Sequence, residues 1–340
     1  MAEATVETAL LAGNHTAVVL ENDRIRVTML PGLGGDIYSV EDVRTGVDVL
    51  WETPWGLQPH GPTNAGDSIA AWVNRYAGGW QVLLPSGGGP SEHGGITHPY
   101  HGEACMRGWS WREARTAGGD ACVALNVRLI DTPLRIEREV RLSTDGAGLV
   151  VDERITNEGA SPVDYMWCHH PSFGAPLIEP GVRITTSATS LVADPAIDAE
   201  WNPLVLGSSH RWPVVTDREG SDLDLSVLPS VEQRRSLVGY LSGFTSGQAT
   251  IENPRLGLAC TLSWPLEVFP YAWVWQELRG EAGWPWYGRA YVIAIEPCTS
   301  YPGAGLGGVI ATTKTHRTLA PGESARVEVG MTLSRCEPRR

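Results

Sequence analysis

The sequence predicts an all-β fold, a large antiparallel β-sandwich with few short helices. The 340 residues include 39 Gly and 24 Pro, spread along the whole length, so few long windows escape a helix-breaking residue. Between these turn residues lie short apolar segments that alternate with polar residues at a period of two. Such alternation places one face of a strand on a core and the other toward water. We therefore expect many strands joined by turns, with any helices short and peripheral.

The clearest strands alternate over residues 134–142, 149–155 and 327–333. Two other stretches do not fit a strand: residues 53–66 are rich in Pro and Gly, and residues 84–100 contain SGGGPSEHGG. Long loops inside a compact domain are usually functional. We expect both loops to rim a cleft.

Length and charge limit the classes of protein that the chain can belong to. A chain of 340 residues is within reach of one large all-β domain, so we predict a single domain over residues 1–340. The net charge is −13 and the 26 basic residues are scattered, which argues against a nucleic-acid or anionic-membrane partner. The start of the chain carries acids where a secretory signal has a basic region, so we expect a cytoplasmic protein.

The six cysteines are far apart in sequence, at positions 105, 122, 168, 260, 298 and 336. No CxxC pair is present, which argues against a zinc ribbon or a thioredoxin-like redox motif. We expect buried thiols that pack as small hydrophobic side chains, without a disulfide framework.

Glu296 is a candidate catalytic base. It follows the apolar run YVIAI and precedes Pro297, which predicts a carboxylate at the end of a strand. Partial burial there would raise its pKa and make it a better base near neutral pH. The alternative is an ordinary strand-end carboxylate with a surface partner.

His169 and His170 lie in the segment NEGASPVDYMWCHHPSFG, which predicts a strand that enters a loop bounded by Pro and Gly. If residues 163–170 are extended, adjacent side chains point to opposite faces, so only one histidine can face a given cleft. A histidine of this kind can act as an acid or base, or can simply be a hydrogen-bonded core residue.

His93, His98, His101 and Glu103 form the densest group of imidazole side chains in the chain. One hypothesis is a divalent metal site, although the spacing matches no established metal motif. The other is that one histidine binds a sugar hydroxyl or ring oxygen, with Gly102 letting the backbone approach the ligand.

The aromatic composition is unusual. The chain has 14 Trp and 9 Tyr but only 3 Phe, and rings with a polar edge suit an interface with water or with the CH faces of sugars. Most of the tryptophans should fill the core. Trp275 and the pair Trp284 and Trp286 are the better candidates for a sugar platform. The chain contains no P-loop, no GxGxxG and no GxSxG, so nucleotide chemistry and serine hydrolysis have no support.

Five segments, taken together, resemble the aldose 1-epimerase (galactose mutarotase-like) superfamily. In chain order they are RIRVTMLPGLGGDIYSVEDVRTGVDVLW, PYHGEACMRGW, the segment that ends in HHPSFG, VIAIEPCTSYPG and LAPGESARVEVGMTL. Each is a weak motif alone, but their order and spacing are specific. PYHGEACMRGW is closest to the branch that includes hexose-6-phosphate epimerases.

The resemblance implies a β-sandwich with the site on a concave face and no obligatory cofactor. It implies that Glu296 is the base that takes the anomeric hydroxyl proton and that His170 is the acid that protonates the ring oxygen. His101 would hold or polarise that oxygen, and Arg75 would be the counterpart of the family's substrate-binding arginine. With Trp275 as a platform, we expect His170 and Glu296 to face each other across a sugar-sized gap.

The predicted function is therefore a mutarotase that interconverts the α and β anomers of an aldose. One alternative is another sugar isomerase or lyase on the same fold, with a metal held by His93, His98 or His101. A second is a non-catalytic carbohydrate-binding protein. The expected partner is a small sugar, and the protein should be a monomer or homodimer. A phosphorylated sugar, an acidic sugar and a glycoside all remain open as substrates.

Overall fold

A computed structural model describes residues 4–59, 66–115, 120–143 and 146–337. Its strands are, in chain order, β1 (Thr5–Leu10), β2 (Thr16–Glu21), β3 (Ile25–Leu30), β4 (Asp36–Asp42), β5 (Val47–Asp48), β6 (Trp80–Leu83), β7 (Ser91–His93), β8 (Ile96–His98), β9 (Ser110–Arg115), β10 (Ala121–Arg128), β11 (Leu134–Leu142), β12 (Gly148–Asn157) and β13 (Val163–Tyr165). They continue with β14 (Cys168–Gly174), β15 (Arg183–Thr186), β16 (Ser190–Ala193), β17 (Ser209–Arg211), β18 (Val214–Thr216), β19 (Asp222–Asp224), β20 (Arg235–Ser242), β21 (Gln248–Asn253), β22 (Leu258–Ser263), β23 (Tyr271–Leu278), β24 (Tyr291–Cys298), β25 (Arg317–Leu319) and β26 (Ser324–Arg335).

Most strands belong to two large antiparallel sheets. One runs in the order β1-β2-β3-β4-β6-β14-β24-β23-β20-β16-β17, with β5 paired to β4. The other runs β15-β21-β22-β26-β12-β11-β10-β9. The predicted all-β class is confirmed, and the three clearest predicted strands are found as β11, β12 and β26.

The main core lies between the two sheets, and the larger sheet also has a second apolar face. Val274 and Ile295 point into the main core, whereas Trp273 on the same strand as Val274 belongs to a separate aromatic cluster with Trp51 and Trp286. This follows from the period of two, because successive side chains leave a strand on opposite faces. The face away from the core is therefore available for a site.

The two α-helices of the described residues are short, as expected. They are α1 (Ser68–Arg75) and α2 (Gly305–Ala311), and there are also 3₁₀ turns at Ala12–Asn14 and Ala104–Met106. Asp67 caps α1, since its carboxylate accepts a hydrogen bond from the Ala70 N–H at 2.8 Å. α1 forms a wall of the pocket described below. Neither helix is long and apolar enough to cross a bilayer.

Two of the cysteines form a disulfide, which corrects the expectation of thiols alone. Cys168 on β14 and Cys298 on β24 are directly opposite each other and are bonded, across a sequence separation of 130 residues. That separation hid the pairing at the level of sequence. Cys105, Cys122 and Cys260 are buried thiols, as expected.

A buried ion pair between β11 and β12 of the second sheet forms hydrogen bonds to Gly35 and Trp167, which lie outside that sheet. Arg138 Nε lies 2.6 Å from Glu153 Oε2, and both side chains are almost wholly buried. The same arginine donates to the Gly35 carbonyl at 2.8 Å, and Glu153 accepts from the Trp167 indole at 2.8 Å. Each charge thus has several partners, which a buried pair needs to offset its desolvation.

We predict that Glu153→Gln lowers the free energy of unfolding by about 3–5 kcal/mol, because it leaves the Arg138 guanidinium buried without its counter-charge. Urea unfolding followed by tryptophan fluorescence measures this. Glu328→Gln is the matched control, since Glu328 pairs with Arg141 on the surface, and it should change the free energy by about 1 kcal/mol or less. Equal losses in the two variants would contradict the prediction.

Candidate active site

The candidate site is centred on two neighbouring strands of the larger sheet. β14 and β24 are antiparallel, and the register that pairs Ser172 with Ala294 makes His170 and Glu296 occupy facing positions. Both side chains leave the face opposite the main core, and His170 Nε2 lies 3.6 Å from Glu296 Oε1. They do face each other, but the expected sugar-sized gap between them is wrong. A ligand must lie over the pair rather than between its members.

The two adjacent histidines have separate surroundings, as expected from extended backbone. His169 points to the core side, where its Nδ1 accepts a hydrogen bond from the Trp80 indole at 3.1 Å and its Nε2 lies 3.8 Å from Glu153. The expected loop at HHPSFG is absent, because β14 continues through Gly174. His170 is thus held on a central strand, which fixes its position more tightly than a loop would.

Two hydroxyl groups orient the His170 ring. The Ser172 hydroxyl lies 3.2 Å from His170 Nδ1, and the Tyr76 hydroxyl lies 2.7 Å from Ser172 Oγ. All three side chains are buried. Because Nδ1 is engaged by this chain of hydroxyls, Nε2 is the nitrogen that faces Glu296 and the pocket.

His101 is held by a glycine loop. The Gly88 N–H donates to His101 Nδ1 at 3.1 Å, so the neutral ring carries its proton on Nε2. His101 has a φ of 62°, a left-handed conformation that is uncommon outside glycine. Gly102, expected to approach a ligand, instead packs on backbone: a Cβ there would lie 2.6 Å from the Leu84 and Ser86 carbonyl oxygens.

These side chains line a pocket of about 410 Å³, within the range of small-molecule sites. The Gly88–Gly89 turn and Tyr100 belong to the predicted 84–100 loop and line the pocket. The prediction that this segment contains no strand is wrong, because β7 and β8 lie in it. The other predicted loop, residues 53–66, lies partly outside the described residues. The tryptophans that line the pocket are Trp72, Trp273, Trp275, Trp284 and Trp286.

The predicted aromatic platform is part of this wall. The Trp275 ring lies 6.1 Å from the His170 ring and 5.5 Å from the Trp286 ring, centroid to centroid. Trp286 in turn stacks on Trp55 at 5.5 Å, and Trp284 is 53% exposed at the pocket mouth. The sequence missed Trp72, which α1 carries into the pocket, because nothing near it in sequence predicts this packing.

Asp194 is a pocket residue that sequence reasoning missed. Its Oδ1 accepts from the Ala196 and Ile197 N–H groups, each at 2.7 Å, and its Oδ2 accepts from the Tyr240 hydroxyl. The Gly303 N–H donates to that hydroxyl at 2.7 Å, which leaves the hydroxyl proton for Asp194. The sequence around Asp194 carries no motif that could have found it.

Burial favours the uncharged form of each group in the centre. It raises the pKa of Glu296 to about 8 and lowers that of His170 to about 4. It also lowers the pKa of His101 well below its usual value, and the field of His170 adds to this. Near neutral pH, His170 and Glu296 together therefore hold one proton, which lies on the carboxyl group.

Arg75 is not brought to the pocket. It ends α1, and its buried Nε has no hydrogen-bond partner. Burial raises the pKa of Asp36 to about 8, although the Gln81 hydrogen bond and the charges of Arg138 and Arg75 lower it. Asp36 also accepts from Gln81 at 2.6 Å, and Gln81 accepts from the Trp72 indole at 3.0 Å. In this structure Arg75 therefore lies among groups that support α1 rather than among those that line the pocket.

The three histidines of the 93–101 region have different surroundings. His93 Nε2 lies 3.0 Å from Asp164 Oδ2, His98 is buried with Nδ1 unpartnered, and His101 is in the pocket. Within the described ranges, no group of three or more His, Cys, Asp or Glu side chains is arranged to hold a metal ion. Glu103 accepts from the Ile130 and Asp131 N–H groups at 2.8 and 3.0 Å instead.

Sequence comparison assigns a family. Residues 12–204 match the family described as a domain of unknown function, DUF4432, which is more than half of the chain. The chain belongs to the DUF4432 family. A comparison with proteins of curated function finds no significant match.

The fold of this DUF4432 protein is galactose mutarotase-like. A galactose mutarotase-like protein from Clostridium acetobutylicum is similar with a TM-score of 0.70 and 16% identity, covering 98% of this chain and 99% of that one. A galactose mutarotase-like protein from Lactobacillus casei gives 0.59 and 19%, covering 94% and 100%. Galactose 1-epimerase from Lactobacillus acidophilus gives 0.60 and 14%, covering 98% and 99%. The resemblance to the superfamily is thereby confirmed for the fold.

We predict that Glu296→Gln stabilises the protein increasingly as pH rises from about 5 to 8. The folded-state pKa of Glu296 is raised, so between its unfolded and folded pKa values the folded state binds more protons, and stability falls as pH rises. A glutamine does not titrate, so the variant does not lose this part of its stability as pH rises. The pH dependence from His170 is present in both proteins and cancels to first order.

Thermal unfolding at several pH values measures this difference. Glu7→Gln, at an exposed position on β1, is the control and should differ from the wild type by a constant amount. A pH-independent difference for Glu296→Gln as well would mean that the Glu296 carboxyl is already ionised near neutral pH.

Proposed function

We propose that this DUF4432 protein is a mutarotase that exchanges the α and β anomers of a reducing sugar. The observation that carries the proposal is the His170–Glu296 pair, 3.6 Å apart beneath an aromatic pocket, in a chain with a galactose mutarotase-like fold. Anomer exchange needs one group that takes a proton and one that gives a proton, which is what this pair can supply.

The reaction transfers protons, breaks and re-forms one C–O bond without a change of oxidation state, and needs no cofactor. Glu296 in its ionised form takes the anomeric hydroxyl proton while His170, carrying the shared proton, gives it to the ring oxygen. The C1–ring oxygen bond breaks, and the free aldehyde forms. Rotation about C1–C2 and the reverse proton transfers close the ring in the other anomer. The other placement of the shared proton reverses the two roles and gives the same net reaction.

His101 and Trp275 position the sugar. The Nε2 proton of His101 is free to donate to the ring oxygen or a hydroxyl, since Nδ1 is occupied by the Gly88 N–H. Burial, and then the field of His170, lowers the pKa of His101 well below its usual value, which keeps His101 a neutral donor rather than a competing acid. The Trp275 ring offers its face to the CH groups of the sugar.

The proposed assembly is a monomer or homodimer in the cytoplasm.

We predict that Glu296→Gln and His170→Gln each lower kcat/KM for anomer exchange by about a hundredfold or more. The rate at which freshly dissolved α-glucose and α-galactose reach anomeric equilibrium, followed by NMR and corrected for the buffer rate, measures this. His93→Gln is the matched histidine control, because His93 pairs with Asp164 outside the pocket, and it should retain the wild-type rate.

No acceleration by folded wild-type protein with any sugar tried would contradict the proposal. In that case sugar binding without turnover would favour a carbohydrate-binding role. A loss as large in His93→Gln as in His170→Gln would show that the effect of the mutation does not come from the pocket.

A further inference from the structure

In the part of the chain that the structure describes, the pocket is lined by carboxyl and imidazole side chains and by no stronger base. Asp194, Glu281 and Glu296 line it together with the two histidines, and no Lys or Arg is among the described residues that do so. The whole chain is also acidic, with a net charge of −13. A negative group on a ligand would meet carboxyl groups and no counter-charge here, which costs binding free energy.

The three carboxyl groups lie near the same part of the pocket, around Tyr100. Tyr100 is part of the wall, and its pKa is raised first by burial and then by the fields of Glu296, Glu281 and Asp194. The pKa of Glu281 is itself raised by burial. The carboxyl groups therefore share the pocket rather than being distributed around its outside.

Asp194 is a buried acidic side chain of the pocket wall. Both of its oxygens accept hydrogen bonds, from two backbone N–H groups and the Tyr240 hydroxyl. It is only 3% exposed, so water screens the interactions of this carboxyl group little.

Glu296 supplies an independent observation. It is 3% exposed, lines the pocket, and has no hydrogen bond among the described residues; His170 Nε2 lies 3.6 Å from its Oε1. A buried polar side chain without a hydrogen-bond partner is costly. A ligand that donates hydrogen bonds would remove that cost.

The remaining walls are suited to a cation. Trp275 and Trp286 lie 5.5 Å apart, centroid to centroid, and Trp284 stands half exposed at the mouth. Indole faces carry a negative quadrupole and attract ammonium groups, most strongly where water is excluded. Aromatic rings and carboxylates in one pocket favour the same sign of ligand charge.

We propose that this pocket selects a positively charged sugar, an amino sugar in its ammonium form, over neutral sugars, and rejects sugar phosphates and uronates. Asp194, Glu281 and the tryptophan wall hold the ammonium group, while His170 and Glu296 act on the anomeric centre. The assignment of His170 and Glu296 to the anomeric centre rests on the proposed function, whereas the selection for ligand charge can be measured without turnover.

The test is equilibrium binding of methyl glycosides, which cannot open their rings and so report recognition alone. Calorimetric titration compares methyl α-glucoside with its 2-amino-2-deoxy and 6-amino-6-deoxy derivatives, their N-acetyl forms, the 6-phosphate and the glucuronide. We expect at least one amino derivative to bind about tenfold or more tightly than the parent glycoside, since charge-assisted hydrogen bonds are about twice as strong as neutral ones. N-acetylation should abolish the gain, and the two anionic glycosides should bind most weakly.

Charge variants locate the effect. Glu281→Gln should reduce the preference for the amino derivative severalfold, and Glu281→Lys should reverse it and improve binding of the 6-phosphate. Glu281 is partly exposed, so both changes are compatible with folding, which far-UV circular dichroism checks. Asp23→Asn and Asp23→Lys make the same change in net charge at an exposed position outside the pocket and should leave the order of affinities unchanged.

Equal affinity for amino and parent glycosides, or tightest binding of the phosphate, would overturn the proposal. A change in preference with Asp23→Lys as large as with Glu281→Lys would do so as well, because it would come from net charge alone. Charge selection without anomer exchange by the corresponding free sugars would keep this inference and reject the proposed mutarotase function.

Discussion

The site depends on the pairing of two central strands. The β14–β24 register brings a histidine and a glutamate from distant parts of the chain side by side, on the sheet face that does not form the main core. Both groups are more than nine-tenths buried, so each is driven toward its uncharged form. The pair consequently carries one proton, which is the state that anomer exchange requires.

Neighbouring parts of the fold hold this pair in place. The Ser172 hydroxyl contacts His170 Nδ1 and is itself hydrogen-bonded to the Tyr76 hydroxyl, which orients the His170 ring. The Gly88 N–H fixes the tautomer of the neighbouring His101. Gly88 has a φ of 75°, and a Cβ there would lie 2.0 Å from the Gly303 carbonyl oxygen, so only glycine fits where the two loops meet. A preorganised arrangement of this kind avoids reorganisation during proton transfer.

Local sequence patterns predicted the strands and the histidine and glutamate that meet in the pocket, but not the surroundings of these two side chains. The period-two alternation predicted β11, β12 and β26, and the motifs around Glu296 and His170 identified side chains that the structure brings together. The disulfide between Cys168 and Cys298 and the pocket position of Asp194 depend on pairings between distant segments, which alternation within one segment cannot reveal. Arg75 shows the opposite case, since its motif was recognised in the sequence but Arg75 is not among the residues that line the pocket.

The pH dependence of kcat/KM for anomer exchange, corrected for the buffer rate, tests most directly whether a pair that shares one proton does the chemistry. The account predicts a bell-shaped profile that falls below pH about 4, where the pair gains a second proton, and above pH about 8, where it loses the only one. The profile is the same whichever member of the pair holds the proton. A rate that is unchanged from pH 5 to 10, or that rises steadily through pH 8, would contradict it.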